Sequence, residues 1–343
     1  MKILFAGKTG FDYNRTKILY NGLKKIKDVD ISVFKLESKS NFDIENFKKI
    51  TKDVDFIYVP PFRFTDARFI YKQTNIPVVF DPLVSTYLTR VVDYKQFWKA
   101  PHKLIVDKRS FNSCDILIAD TENHKKYFIK KFNISANKIH VLPVGTDSSV
   151  FFENSVQKKD NLFHVGFYGS FVPLQGTLKI IETAKILQNN NSIFFDIIGD
   201  GHHFDKAKKL AEKYNLKNIK FYGRVEYKKL PELINDFDIC LGIFGDSLKA
   251  DLVIPNKVYH YASMNKCIIT KDTVGIKEIF ANNENIILSL NNPADIADKI
   301  LLLKNNESLC NKIAKNAYNL ISENYNEVKI AERFIKILKL HEL

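Results

Sequence analysis

The chain has 343 residues, a length that suits two domains of roughly 150 residues each. With 45% hydrophobic and 27% charged residues, its composition is that of a globular protein and excludes a disordered one. No apolar run approaches the roughly 18 residues of a membrane span, and Gly7 and Gly10 come too early for a secretory signal, so we expect a cytoplasmic protein. The net charge of +13 is uneven: residues 1–150 hold 26 Lys+Arg against 16 Asp+Glu, which favours anionic partners for this half.

In the first half, apolar runs alternate with helical patterns, which is typical of βαβ units and a parallel sheet. A helix is predicted over 16–26, where Ile18, Leu19, Leu23 and Ile26 recur at helical spacing. The predicted strands are 2–6, 30–34, 56–59, 78–81, 116–119 and 139–142.

The second half repeats this alternation of apolar runs and helical patterns. Its predicted strands are 163–168, 194–198, 219–222, 239–243, 267–270 and 286–288. Between the halves, 153–161 is polar and aperiodic, which indicates a linker. We therefore predict two doubly wound, Rossmann-like α/β domains, 1–152 and 162–324, with a final amphipathic helix within 325–343 that packs back on the first domain.

Four short turns in the second half follow predicted strands in a fixed order. Such turns leave free backbone N–H groups and helix N-termini at the carboxyl edge of a parallel sheet, where a phosphate can be held. The sequence therefore predicts a nucleotide or sugar-phosphate ligand. The residues of these turns are Gly169, Ser170, Gln175 and Gly176, then Gly199 and Gly201, then Gly223 and Arg224, then Pro255, Asn256 and Lys257.

Two features of the first half are candidate site elements. Gly7-Lys8-Thr9-Gly10 is not a Walker loop, because the required earlier glycine would fall at Lys2. Asp81 ends an apolar strand that Pro82 stops, and a carboxylate there could orient or deprotonate a hydroxyl, although an Asx turn is the simpler alternative.

The cysteines have neither metal-ligand nor redox spacing. We expect reduced, mostly buried thiols and no metal site. These residues are Cys114, Cys240, Cys267 and Cys310.

Several strings resemble the GT-B glycosyltransferases, and within them the large retaining group called family 4, or glycosyl transferases group 1. They are Phe194-Phe195-Asp196-Ile197-Ile198-Gly199-Asp200-Gly201, Phe221-Tyr222-Gly223-Arg224-Val225, Val141-Leu142-Pro143-Val144-Gly145-Thr146-Asp147 and Pro255-Asn256-Lys257-Val258-Tyr259-His260-Tyr261-Ala262. The resemblance covers residues 139–280 well and the first half loosely.

This resemblance implies a donor-binding second domain that faces an acceptor-binding first domain across a cleft. It also implies sugar transfer from a nucleotide diphosphate to an acceptor hydroxyl, with no metal or other cofactor. Many relatives hold the diphosphate with an Arg and a Lys in the first turn, where this chain has Ser170 and Gln175. Lys257 and Arg224 are our expected substitutes, against the alternatives of a solvated lysine and a surface salt bridge.

The resemblance assigns further roles. His260 stands where relatives place the second of two glutamates, so we expect a ribose contact, since a neutral imidazole can accept a hydrogen bond. Asp251 lies one residue from the place of the first acid and is expected near the donor sugar. For the first domain, the resemblance implies donor contacts for Gly7 and Gly10. Arg15, at the start of the following helix, and Ser85 are expected acceptor contacts beside the catalytic candidate Asp81, although an exposed arginine is the alternative for Arg15.

The expected partners are a nucleotide-sugar donor, a glycan or lipid-linked acceptor, and an anionic membrane surface that holds the protein peripherally. Nucleic acid is not expected, because no recognised binding motif is present. Two alternatives stay open: a non-catalytic nucleotide-sugar-binding or assembly subunit, which the absent cations permit, and a sugar-nucleotide epimerase of the same fold.

Overall fold

The computed structural model describes residues 1–37, 39–40, 42–154 and 160–341. It divides into two compact units, Met1–Asp147 with Tyr325–Leu343, and Ser148–Asn324. Residues 155–159 of the predicted linker lie outside the described residues, so the bounds of that linker stay a prediction.

The first unit is built on a six-stranded parallel sheet in the order β2-β1-β3-β4-β5-β6. The strand order reverses between β1 and β3, which creates a crevice at the carboxyl edge. Its strands are β1 Lys2–Gly7, β2 Asp30–Lys35, β3 Phe56–Val59, β4 Val78–Phe80, β5 Ile116–Ala119 and β6 Ile139–Val141. Its helices include α1 Asn14–Leu23, α2 Ile44–Thr51, α3 Phe64–Tyr71, α4 Ala100–Phe111 and α5 Glu122–Phe132.

The second unit has a six-stranded parallel sheet in the order β12-β11-β10-β7-β8-β9, which is the Rossmann order with its switch point between β7 and β10. Its strands are β7 Phe163–Tyr168, β8 Ile193–Ile198, β9 Ile219–Gly223, β10 Ile239–Leu241, β11 Cys267–Lys271 and β12 Ile287–Ser289. Its helices are α6 Thr177–Ile186, α7 Phe204–Lys213, α8 Leu230–Asn235, α9 Leu248–Leu252, α10 Asn256–Ser263, α11 Pro293–Lys304 and α12 Glu307–Asn324.

The last helix, α13 Glu327–Lys339, belongs to the first unit and packs on α1. The two backbones approach so closely that a Cβ at Gly22 would lie 1.9 Å from the Glu327 carbonyl oxygen. Lys25 Nζ lies 2.6 Å from the Glu327 carboxylate beside this contact. The amphipathic tail is thus part of the first unit's packed structure.

The alternating pattern predicts the sheets correctly. Each of the 12 predicted strands is present, with ends that differ by two residues or fewer. The largest difference is at β10, which ends at Leu241; two residues further on, the Ile243 N–H bonds to the Thr270 hydroxyl (3.1 Å). The four cysteines are free and buried, as expected. No helix in the described ranges is long and apolar enough to cross a bilayer.

Candidate functional site

The turns after β7, β8 and β9 are bonded to one another at the carboxyl edge of the second sheet. The Gly169 N–H donates to the Ile198 carbonyl (3.0 Å), and the Gly199 N–H donates to the Gly223 carbonyl (2.8 Å). Because each turn rests on the next, three of the four predicted turns form one continuous edge.

Two glycines make this edge possible. Gly199 has φ +128°, and a Cβ there would lie 1.9 Å from the Gly169 carbonyl oxygen, so only glycine lets these turns touch. Gly176 has φ +64° and is the N-cap of α6, where a Cβ would lie 2.3 Å from the backbone of Phe244. Both glycines therefore bring main chain close to main chain where helix and strand ends meet.

An open pocket of about 480 Å³ lies against this edge. Tyr168 and Leu230 contribute to its wall. The predicted donor residues that line it are Gly169, Ser170, Gly199, Gly201 and Arg224. The structure therefore brings the first three turns to one shared pocket, with the exposed Arg224 as its cation.

Lys257, from the fourth turn, lies at the switch point between β7 and β10. Its side chain is 3% exposed, and its Nζ donates to Gln175 Oε1 (2.5 Å) and to the Gly242 carbonyl (3.3 Å). The same nitrogen lies 3.6 Å from the centroid of the Phe167 ring. Among the described residues, no carboxylate pairs with it. Burial lowers the pKa of Lys257 well below the ordinary lysine value, since a charge there has little solvation.

The lysine lies directly under the first turn. A Cβ added at Gly169 would be 2.8 Å from Lys257 Nζ and 3.2 Å from Gln175 Oε1, so the missing side chain leaves room for the ammonium. Gln175 stands where many relatives carry a lysine, and here its amide oxygen is the neutral partner of Lys257. The sequence did not indicate this contact between the first and fourth turns.

His260 is fully buried, and its ring stacks on Phe151 with centroids 3.7 Å apart. Its Nδ1 lies 2.5 Å from the hydroxyl of Tyr168, whose residue lines the pocket. Burial lowers the pKa of His260 to about 3, so the imidazole is neutral at physiological pH. In this arrangement Tyr168 lies between the histidine and the pocket, and the ribose contact of His260 stays a prediction.

Two further predicted donor residues lie close to Lys257 along the chain, Asp251 in α9 and Asn256 in α10 itself. Asp251, in α9, pairs with Lys271 Nζ at 2.7 Å. Asn256 is half-buried and is the first residue of α10, whose N-cap is Pro255. Their contacts to a donor sugar stay predictions.

In the first unit, Asp81 and Arg15 form a buried ion pair. Arg15 Nε lies 2.5 Å from Asp81 Oδ2, and the two side chains are 2% and 1% exposed. The Tyr58 hydroxyl donates to the same oxygen (3.0 Å), and Arg15 Nη2 donates to the Leu142 carbonyl (2.8 Å). Although burial opposes the charge, Asp81 raises the pKa of Arg15 above its ordinary value. The N-terminal end of α1 is thus joined to the carboxyl ends of β4 and β6.

The other predicted first-unit residues lie near the same edge. Ser85 is buried, and its hydroxyl accepts from the Leu88 N–H (2.9 Å). Gly7 ends β1, and Gly10 has φ +102° and lies against Pro60, where a Cβ would be 3.1 Å away. Their contacts to donor or acceptor stay predictions, while Tyr58 is a member of the Asp81 cluster that sequence patterns did not mark.

The fold and the pocket place the protein among the α/β proteins with two Rossmann-like units, the GT-B class. More specifically, the chain belongs to the glycosyl transferases group 1 family, whose model matches residues 149–320, half of the chain.

Curated relatives agree with this family. An uncharacterized glycosyltransferase of Methanocaldococcus jannaschii is 24% identical over 244 residues, which cover 68% of this chain and 60% of that protein. Poly(ribitol-phosphate) alpha-N-acetylglucosaminyltransferase of Staphylococcus aureus is 29% identical over 185 residues, which cover 50% of this chain and 34% of that protein. The chain thus spans less than two thirds of either relative.

Solved structures share the fold over nearly the full chain. Anabaena Alr3699/HepE in complex with UDP and glucose has a TM-score of 0.79 at 15% identity, with 99% of this chain and 100% of that chain covered. Sucrose-phosphate synthase from Thermosynechococcus elongatus also has a TM-score of 0.79, at 12% identity and 99% coverage of both chains.

Proposed function

We propose that the chain is a glycosyltransferase that moves a sugar from a uridine diphosphate sugar to an acceptor hydroxyl. One observation carries the proposal: the buried Lys257 nitrogen lies under the Gly169 turn with neutral partners in place of a carboxylate. A buried cation of this kind is costly unless an anion arrives to pair with it. The diphosphate of the donor is such an anion, and HepE, which has the same fold, has been crystallised with UDP and with UDP-glucose.

The chemistry of transfer requires the site to stabilise a leaving nucleoside diphosphate. In this proposal Lys257 and Arg224 supply positive charge, and the turn amides with the N-terminus of α6 supply oriented dipoles. Many relatives hold the diphosphate with an Arg and a Lys at the positions of Ser170 and Gln175. In this chain the groups named above take over that role. Transfer then needs no metal or other cofactor, because the developing charge meets protein donors.

The finer features of the proposal follow the family resemblance. The sugar is of the hexose type, it is transferred with retention of configuration, and the acceptor is a glycan or lipid-linked glycan at the cytoplasmic face of an anionic membrane. Asp81 is the proposed acceptor-side residue. Since its carboxylate oxygen is already held by Arg15 and by the Tyr58 hydroxyl, we propose that Asp81 orients the acceptor hydroxyl.

A thermal-shift panel of UDP, GDP, ADP and their sugars tests the donor site. A ligand at about 100 times its dissociation constant adds about 2.7 kcal/mol to the folded state, so uridine ligands should raise the unfolding midpoint. If no nucleotide raises it, the proposal fails. Hydrolysis or transfer of radiolabelled UDP-sugar with membrane extracts as acceptors then tests catalysis.

A second candidate is a nucleotide-sugar-binding subunit without catalytic activity. The observation that favours it is the buried, neutral His260 at the place where relatives carry an acid. Uridine ligands would then raise the unfolding midpoint as before, while neither hydrolysis nor transfer would be detected with any extract.

A further inference from the structure

The first unit exposes two adjacent large aromatic side chains. Phe97 is 66% exposed and Trp98 is 75% exposed, in a single helical turn, Phe97–Lys99. We call residues 95–99 the aromatic tip. Apolar surface left in water forgoes the favourable free energy of burial, so an exposed pair of large aromatic side chains is typical of a contact surface.

The charges around the aromatic tip are positive. Lys95 is exposed, Lys99 and Lys103 are half-buried, and His102 is exposed on the first turn of α4. The two acids in 88–111, Asp93 and Asp107, are both buried, and Asp107 accepts hydrogen bonds from the backbone at residues 86 and 87. The exposed charge here is therefore basic, in keeping with the net +10 of residues 1–150.

The position of the aromatic tip follows from the topology. The chain leaves the carboxyl end of β4 at Asp81, passes through the tip and returns along α4 towards β5. Because a helix that connects two parallel strands starts at their carboxyl edge, the tip lies on the same side of the sheet as Asp81. Lys95 has φ +56°, a strained conformation for lysine that turns the chain just before Phe97.

We propose that the aromatic tip inserts Phe97 and Trp98 into the interfacial region of an anionic lipid bilayer. Indole and phenyl rings favour the headgroup boundary, and lysines beside them reach the anionic phosphates. Within 88–111 the exposed charged side chains are all basic, which matches such a surface by charge. The inference extends the membrane-linked acceptor of the proposed function by naming the residues that hold the protein to the membrane.

Trp98 is the only tryptophan of the chain, so its fluorescence reports the aromatic tip alone. The test mixes the full chain, without nucleotide, with vesicles of phosphatidylcholine or of phosphatidylcholine with about 30% phosphatidylglycerol, an anionic lipid. We expect a blue shift and quenching by acyl-brominated lipid with the anionic vesicles only. Phe97→Ser keeps the reporter and should weaken vesicle binding about tenfold through lost apolar burial. Lys95→Glu with Lys99→Glu should weaken it further and reduce its salt dependence.

Leu290→Ser is the matched control, because Leu290 is 79% exposed in the other unit. It should bind vesicles as the unchanged chain does. No binding to anionic vesicles, or equal weakening by Leu290→Ser and Phe97→Ser, would overturn the proposal. A dimer in sedimentation velocity that Trp98→Ser abolishes would assign the aromatic tip to a second copy and overturn it as well. Unchanged unfolding midpoints verify folding, and UDP binding by the same variants separates this result from the fate of the donor site.

Discussion

The carboxyl edges of the two sheets each hold a buried cation, but the two cations have different partners. In the first unit Arg15 pairs with Asp81 at 2.5 Å, while in the second unit Lys257 has a glutamine oxygen and a backbone carbonyl. Both lie near a point where strand order reverses. The fold already neutralises Arg15 with a carboxylate, whereas no carboxylate of the described residues pairs with Lys257.

This difference bears on what each site can do. A paired charge such as Arg15 fixes the position of a carboxylate and of the strand ends around it. A charge such as that of Lys257, with which no carboxylate of the described residues pairs, reduces the stability of the ligand-free protein and gains the most from a bound anion. We therefore attribute positioning to the Arg15–Asp81 pair and anion binding to Lys257.

The largest expected effect comes from breaking the neutralised pair. Asp81→Ala leaves the Arg15 guanidinium buried without its carboxylate, which typically costs about 3–5 kcal/mol of unfolding free energy. Urea unfolding measures the loss. Asp251→Ala, which breaks a partly exposed pair with Lys271, is the control and should cost about 0–1 kcal/mol. Equal losses in the two variants would remove the contrast between the edges.

Removal of Lys257 should lower UDP affinity without lowering the unfolding free energy of the ligand-free protein. Lys257→Met should weaken UDP binding about tenfold to a hundredfold, because a hydrogen bond to a charged group contributes about 1.5–3 kcal/mol. Its ligand-free unfolding free energy should be unchanged or higher, since a poorly solvated charge is gone. Calorimetric titration and urea unfolding measure both.

Lys266→Met is the control for this variant. Lys266 is a half-buried lysine of the second unit, whose Nζ donates to the carbonyls of Asn235 and Phe237, residues that precede β10 at the amino edge of the sheet. It should keep the UDP affinity of the unchanged chain. If Lys266→Met lowers affinity as much as Lys257→Met, the loss is not specific to the switch point.

The lowered pKa of Lys257 predicts a pH dependence with a defined sign. Its pKa is lower in the folded than in the unfolded chain, so the unfolded chain binds more protons between the two values. The contribution of Lys257 to unfolding free energy therefore rises with pH up to the ordinary lysine pKa near 10.5, and Lys257→Met should remove that rise. UDP binding should take up a fraction of a proton, visible as a binding enthalpy that depends on the buffer. Equal enthalpies in HEPES and Tris buffers at the same pH would contradict a lysine that gains its charge on binding.

The smallest effect is expected at Arg224, which lines the pocket but is exposed. Arg224→Ala should weaken UDP binding by about 0.2–1 kcal/mol, the range of solvent-exposed ion pairs, and added salt should reduce the difference. A loss of UDP affinity as large as that of Lys257→Met would show that the exposed Arg224 contributes as much to diphosphate binding as the buried lysine does. It would contradict our expectation that the buried cation contributes most.

The sequence predicted the strands and the turns because both depend on local patterns. Apolar runs define the twelve strands, and glycines mark the turns at 169, 199 and 201. The partner of Lys257 was not predictable, since Gln175 is 82 residues away and meets it only after β10 has paired with β7. The same holds for Arg15, where helical spacing could not distinguish an exposed arginine at a helix start from one buried on a carboxylate 66 residues away.

The contact between Gly22 and Glu327 has a consequence for the order in which the chain folds. During synthesis the second unit can fold as soon as residue 324 has left the ribosome, whereas the first unit must wait for α13 to emerge. Until then the face of α1 that α13 covers is open to solvent and to other nascent chains. A chain that ends before α13 should therefore expose this face of α1 and should bind more of a hydrophobic dye than the full chain does.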